Sequence, residues 1–293
     1  MVRKKKSIST VVIYSVLVLL LLITLYPMVY VLSMSISDPD AVLRQEVWLL
    51  PKGFSLRSYE MVFKNPNVFR YYFNSIWYTV VGTLLNVAMT VLAAWPLSRK
   101  DMVGRNKFMV YIAITMFFSG GLVPQFILVN SLGMYNTRWA IVIPAMLSGW
   151  NIILMRVYFQ SNIHDSLVES AGMDGCNDFR MLFSIVWPLS TPIIAVIALY
   201  SAVGFWNSYL PSVIYLPTAA LHPMTVMLQK IIIANDMSSA LGAGMDISMA
   251  ERLKYSMQIK YALIIVTVLP ILFVYPFVQK YFVQGVMIGS IRE

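Results

Sequence analysis

The sequence predicts an all-α polytopic membrane protein with six transmembrane helices, and three observations carry that expectation. Of its 293 residues, 59% are hydrophobic and only 12% charged, where soluble domains carry about 25% charged residues. Several apolar runs reach about 20 residues, the length that crosses a bilayer core as helix. Lysines and arginines gather between and before those runs, which sets which loops stay in the cytoplasm.

Span one covers 11–33. Arg3, Lys4, Lys5 and Lys6 precede it and place the N-terminus inside; with no small-residue cleavage site after it, the run reads as an uncleaved span. Pro27 marks a kink or an exit point there. The stretch 34–70 is polar and lies outside, where Trp48, Phe54, Tyr59 and Phe63 suggest a short interfacial structure. Span two, 71–97, returns to a loop with Arg99, Lys100, Arg105 and Lys107 against Asp101, so that loop is cytoplasmic. Span three, 108–130, is interrupted by Gly120, Gly121 and Pro124, and span four covers 139–159. Span five, 191–216, is entered through Pro188 and Pro192 and bends near Pro211. The external segment 217–258 carries a helical stripe of Val226, Leu228, Ile231 and Ile232. Span six, 260–281, leads to a cytoplasmic tail, 282–293. One transmembrane domain thus fills 1–293, with both termini inside.

The net charge of +9 is explained by these loop clusters and their lipid headgroups, not by nucleic acid. The lone Cys176 excludes an internal disulfide and, in a cytoplasmic loop, fits the reducing side. No G-x-x-x-x-G-K-[ST] loop is present, so the chain does not bind ATP in the usual way and no catalytic residue is assigned. No ionisable residue falls mid-span, and Arg156 lies near a cytoplasmic end. An ion-coupled secondary transporter usually needs such a site. His164 and His222 fall on opposite membrane sides, and the twenty methionines fit span packing, so no metal site is assigned.

The segment 165–192, DSLVESAGMDGCNDFRMLFSIVWPLSTP, breaks the apolar pattern. It reads as two short helices around Gly175. The first, 165–173, starts from an acidic N-cap and aligns Leu167, Ala171 and Asp174. The second, 177–187, starts at Asn177 or Asp178 with Phe179, Leu182, Phe183 and Val186 as its apolar stripe. Gly175 supplies the backbone freedom of the corner.

Glu169-Ser170-Ala171, then Gly175, then Ile185-x-Trp187-Pro188 resembles the EAA loop of ABC importer membrane subunits. Ser170 stands where the family has an Ala, and Trp187 where it has a Leu. The run FSGGLVPQFILVNSLGMYNT, 118–137, resembles the carbohydrate-importing branch, and with the tail FVQGVMIGSIRE the likeness extends over most of the chain. It is similar to the smaller membrane subunit of oligosaccharide and polysaccharide importers, those for alginate included. The resemblance implies a type I ABC importer fold in a bacterial inner membrane. It implies as partners a second, different permease chain, two ATPase subunits and an external solute-binding protein. ATP and magnesium would be held by the ATPase subunits, with no cofactor in this chain. Within the coupling loop, 165–190, it implies that Glu169 contacts a basic residue of the ATPase. Ala171 and Gly175 would permit close approach, and Asp174 would cap or brace the corner. Phe179, Leu182 and Ile185 would anchor the second helix to the spans.

Inside the spans, the polar and aromatic residues include Asn74, Asn86, Trp95, Gln125, Asn151, Tyr200, Trp206, Asn207 and Tyr209. Amides and aromatic faces suit a saccharide route, and Gln125, Asn151, Tyr200, Trp206, Asn207 and Tyr209 are its candidates. Tyr200, Gly204, Asn207 and Pro211 share one helical face. Amides also join helices to each other, which is the competing role for each. An ABC permease for another solute shares the coupling loop but not the 118–137 likeness.

Overall fold

The computed structural model describes residues 8–233 and 249–290; these form helices and connecting turns, with no strand among them. They fall into two compact units, one made by residues up to Phe69 with Met227–Pro270, the other by Arg70–Val226 with the residues from Ile271 on. Three helices are each long and apolar enough to cross a membrane, and bent pairs supply up to three more.

In the first unit, α1 (Ile8–Ile36) is apolar all round and exposed along most of its length. Pro27 lies inside it and neither ends nor exits the helix. One missing N–H removes a single rung of a 29-residue ladder, and the apolar run on both sides favours continuing it. Two short helices follow, α2 (Pro39–Leu43) and α3 (Arg57–Lys64). Met34, Val42 and Val47 form a small core there with Tyr30 and Tyr261.

The polar centre of this unit is Gln258, which is fully buried. Its Oε1 accepts from Ser58 Oγ at 2.6 Å, and its Nε2 donates to the carbonyls of Ser37 and Ser35. Sequence reading ended the external segment at this residue. It lies instead within the last helix, α14 (Met249–Ser290), which begins well before position 260. A buried amide needs partners, and two chain segments, the end of α1 and the start of α3, supply them.

The second unit is organised around α4 (Pro66–Ser98). Near its start, Asn74 Nδ2 donates to the carbonyls of Ala220 (2.8 Å) and His222 (3.0 Å), and Tyr78 Oη donates to that of Leu221 (2.8 Å). Arg138 donates to Asn74 Oδ1 at 2.9 Å and lies over the rings of Phe73 and Trp77. These bonds fix the irregular 216–224 stretch, whose backbone groups would otherwise go unpaired. After it comes α13 (Met224–Ile233), where Val226 and Ile231 of the expected stripe are buried, while Ile232 is exposed and Met224 and Met227 complete the buried set. Midway along α4, a Cβ on Gly82 would meet the Phe205 ring at 2.6–2.7 Å, so glycine admits this ring position without a shift.

Three spans are broken. The third runs as α5 (Arg105–Phe117) and α6 (Leu122–Ser131), bent by 114° at the Gly120–Gly121 interruption. Gly121 takes φ +81°, which side-chain-bearing residues rarely adopt. The fourth runs as α7 (Trp139–Ala145) and α8 (Gly149–Asn162), bent by 45°. The fifth runs as α11 (Thr191–Trp206) and α12 (Leu210–Tyr215), interrupted at 207–209 just before Pro211.

Candidate functional site

Between the fourth and fifth spans lie α9 (Asp165–Met173) and α10 (Asp178–Leu189). Cys176 N–H bonds to Ala171 O at 2.9 Å and Gly175 N–H to Gly172 O at 3.0 Å, with Gly175 at φ +74°. This is the Schellman ending of a helix, in which a left-handed glycine lets two orphan carbonyls be satisfied. Asn177 then caps α10, its Oδ1 accepting from Arg180 N–H at 2.8 Å. Asp174 occupies the C-cap of α9. The corner is thus fixed by backbone geometry and one asparagine.

The acidic start of α9 differs from expectation. The N-cap is His164, which makes no side-chain capping bond. Asp165 stands one position further on and accepts from Lys100 Nζ at 2.6 Å, tying the corner to the 99–104 loop. That bond, followed by the positive charge of Lys100, holds the Asp165 carboxyl below the usual carboxylate range. In the same loop Arg99 bonds Asp101 through two nitrogens at 3.1 and 3.0 Å, which lowers the Asp101 carboxyl as well.

The buried and exposed sides of α9 are clear. Val168 and Ala171 join a core with Trp95 and Leu97 of α4, Met155 and Phe159 of α8, Met181, Leu182 and Val186 of α10, and Ile193 and Ile197 of α11. A fully buried side chain such as Leu182 contributes about 1.5–3 kcal/mol. Glu169 and Ser170 are exposed on the other side, with Met173. Ala171 is therefore small because this chain's own core is tight, a correction to its expected place on a partner surface. Gly175 is open, since nothing lies within 4 Å of the position of a Cβ. Leu167 and Asp174 do not share the buried side with Ala171.

The second helix departs from its expected stripe. Met181, Leu182 and Val186 are buried, but Phe179 is 70% exposed and Phe183 is exposed too. Phe179 does not anchor the helix, although it lines a cleft with Leu92, Trp95 and Leu182; Ile185 is half-buried against the core. The cause is a π turn over Leu182–Val186, in which Trp187 N–H reaches Leu182 O. Pro188 has no N–H and would crowd the preceding turn, so the helix widens before it. That extra residue per turn rotates Phe179 off the line of Val186.

The end of α4 is joined to the helix that carries the corner. Arg156 Nε donates to Leu97 O at 2.9 Å and Gln160 Nε2 to Ser98 O at 3.3 Å, both from α8. These satisfy carbonyls that every helix end leaves open.

Further along, Asn86 of α4 is 3% exposed. Its Oδ1 accepts from Asn151 Nδ2 of α8 (3.1 Å) and Ser201 Oγ of α11 (2.7 Å), and its Nδ2 donates to Ala145 O (3.1 Å) at the break in span four. Asn86, Asn151 and Ser201 also line a cavity of about 660 Å³ with Ser148, Tyr200, Asn207, Ser208 and Tyr209. Gln125 lines a second cavity of about 690 Å³, which shares Ile141, Ala145, Leu210 and Pro211 with the first. No lining residue of either is charged. Five of the six candidates thus border the two cavities. Trp206 does not; it is buried edge-on against Tyr72 at 6.1 Å, one position before the helix breaks and turns Asn207 outward. Asn151 also serves the helix-joining role. Lys100, Val168, Asn86 and Ser201 escaped assignment: their partners lie 59 to 115 residues away or belong to the buried side of α9.

The described residues thus form a broken-helix bundle with an exposed helical corner that is rooted in the core, beside cavities without charged lining. Residues 68–288 match the family described as the binding-protein-dependent transport system inner membrane component, and the chain belongs to it. As an ABC importer permease it works with another permease, an ATPase and a solute-binding protein. It is 37% identical over 292 residues to the polygalacturonan/rhamnogalacturonan transport system permease protein YtcP of Bacillus subtilis (strain 168), covering 98% of this chain and 99% of that one. It is 35% identical to Protein LplC of the same organism over 270 residues, covering 92% and 90%. A solved bacterial ABC transporter involved in the import of the acidic polysaccharide alginate contains a chain with a TM-score of 0.85 and 33% identity, covering 96% of this chain and 99% of that chain. These matches carry the type I ABC importer fold.

Proposed function

We propose that this chain is the smaller membrane subunit of an ATP-driven importer that passes oligosaccharide or polysaccharide fragments, with alginate-like acidic chains among the candidates. Its partners are one different permease chain, two ATPase subunits and an external binding protein that delivers the sugar. ATP and magnesium are held by the ATPase subunits. Both termini and the α9–α10 corner face the cytoplasm. The exposed side of α9, with Glu169, Ser170 and the open Gly175, seats in a groove of the ATPase. Its buried side is continuous with α4, α8 and α11, so a displacement of the corner moves these helices as one body.

The observation that carries this reading is that shared core, which links an exposed corner to the helices lining the cavities. The saccharide assignment is supported by what borders those cavities: amides, hydroxyls and tyrosines, the groups that bond sugar hydroxyls and stack on sugar C–H faces. The relatives named above point to the same substrate class. Tagged chain purified from membranes should bring an ATPase and a second permease with it. The reconstituted complex should hydrolyse ATP faster with binding protein and oligosaccharide present. Purification of this chain without an ATPase, or hydrolysis indifferent to saccharide, would refute the proposal.

A further inference from the structure

The loop between α2 and α3 is tightly held, yet it turns large apolar side chains outward. Ser33 Oγ donates to Leu49 O at 2.7 Å, Asp38 N–H to Lys52 O at 2.9 Å, and Ser55 N–H to Ile36 O at 3.0 Å. Lys52 N–H reaches Ser37 Oγ at 3.2 Å, and Lys52 pairs with Glu46 at 3.5 Å. Gly53 takes φ +64° with Asp38 packed close to where a Cβ would stand. Despite this, Trp48, Leu50 and Phe54 are each 74% exposed, with Leu43, Leu49 and Leu56 exposed beside them. An ordered loop does not hold such groups in water without an occupant for them.

Position along α1 identifies the occupant. About 20 helical residues cross the hydrocarbon core, so from Val11 the core ends near Tyr30. Ser33 then stands about 5 Å further out, at 1.5 Å per residue. Because Leu49 O is bonded to Ser33 Oγ, the loop backbone lies at that same height. An aromatic group marks the level independently: Tyr26 stacks on Tyr30 at 6.3 Å, and Tyr261 meets Tyr30 edge-on at 6.0 Å. Tyrosines and tryptophans concentrate at this boundary, and lysine and arginine, here Arg44, Lys52 and Arg57, flank it.

We propose that the 44–56 loop is a membrane-surface anchor, with Trp48, Leu50 and Phe54 inserted among the lipid headgroups and upper acyl chains. The loop is tied to the last turns of α1 and, through Ser35, Ser37, Ser55 and Ser58, to Gln258 of α14. It thereby sets the height of both helices in the bilayer. The other occupants such a surface could have, the second permease chain or the binding protein, are separable by experiment.

The whole complex is reconstituted in phosphatidylethanolamine/phosphatidylglycerol nanodiscs with a nitroxide at position 50 of a Cys176→Ser, Leu50→Cys chain, and at position 46 of a Cys176→Ser, Glu46→Cys chain. The position-50 label should collide preferentially with oxygen over a water-soluble nickel complex. That preference should exceed the one at position 46 several-fold and should not change when binding protein is added. Free access of the nickel complex to position 50 would overturn the proposal. So would protection that appears only with binding protein, or a label immobilised against the second permease chain. In the unlabelled complex, brominated lipids should quench less of the fluorescence of a Trp48→Phe chain than of the wild type; equal quenching would also overturn the proposal.

Discussion

The corner at Gly175 and the knot at Asn86 both satisfy the open ends of helices, and they do it in opposite ways. At the corner, the bonds that shape the turn join residues within five positions: Cys176 to Ala171, Gly175 to Gly172, Arg180 to Asn177; the one longer bond, Lys100 to Asp165, lies on its exposed side. The rest of that side, with Glu169 and Ser170, is left bare. At the knot, one amide uses both its oxygen and its nitrogen on residues 59 to 115 positions away. A locally specified element can be displaced as a unit without being dismantled. A knot between distant helices can transmit that displacement but cannot yield to it. The division suits a machine that is pushed at one place and must open at another.

Breaking the knot is the largest expected effect. Asn86→Leu strands Asn151 Nδ2, Ser201 Oγ and Ala145 O together. Interhelical hydrogen bonds in bilayers average about 0.6 kcal/mol and reach about 1.7, so three cost about 2–5 kcal/mol. The purified complex should unfold at a clearly lower temperature and lose transport; an unchanged melting profile would show that the knot does not hold the helices.

Glu169→Lys probes the bare side of the corner. No partner for Glu169 is found among the described residues, so the fold and its melting temperature should not change. Losing one half of an interfacial charged contact costs about 2–5 kcal/mol, enough to weaken ATPase retention on the membrane tenfold or more. Retention at the wild-type level would remove Glu169 from the contact.

Gly175→Val separates backbone from surface. A left-handed conformation costs a side-chain-bearing residue about 1–2 kcal/mol, and β-branching adds to that. Asparagine tolerates the same conformation. Hydrogen exchange across α9 should therefore quicken in Gly175→Val and stay near wild type in Gly175→Asn, and transport should follow the same order. Quickened exchange in both would assign the corner to side-chain packing at position 175.

The two regions also differed in how far the sequence disclosed them. The corner was legible because its signals are local: a glycine, an asparagine cap and a run of nine helical residues. The π turn before Pro188 was not, and it displaced Phe179 from the expected stripe. The knot was half legible. Asn86 and Asn151 stood out as polar residues in spans, but only their distance apart in space distinguishes a helix joint from a sugar contact. Gln258 was placed in the external segment and not in the last helix because hydropathy reads average polarity and not whether two segments converge on one amide.

The smallest expected effect lies at Asp165. Its carboxyl is held below the usual range by Lys100, so the contact is complete above the ordinary carboxylate value and is lost only as pH falls through the lowered one. Transport should therefore show no titration attributable to this pair between about pH 5 and about pH 8. Asp165→Asn should shift the rate less than any variant above, because both side chains face solvent and such pairs contribute little. A pH-dependent step in the wild type that Asp165→Asn abolishes would promote this pair from tether to switch.

The contact between Gly82 and Phe205 has a consequence for descent. The phenyl ring occupies the place where any side chain at position 82 would begin, so the two positions share one volume. A methyl group at 82 requires the ring at 205 to shift or to be replaced by a smaller group. Loss of the ring first leaves a hollow that a residue at 82 can later fill. Between homologous chains, a side chain at 82 is expected to accompany a smaller or displaced group at 205.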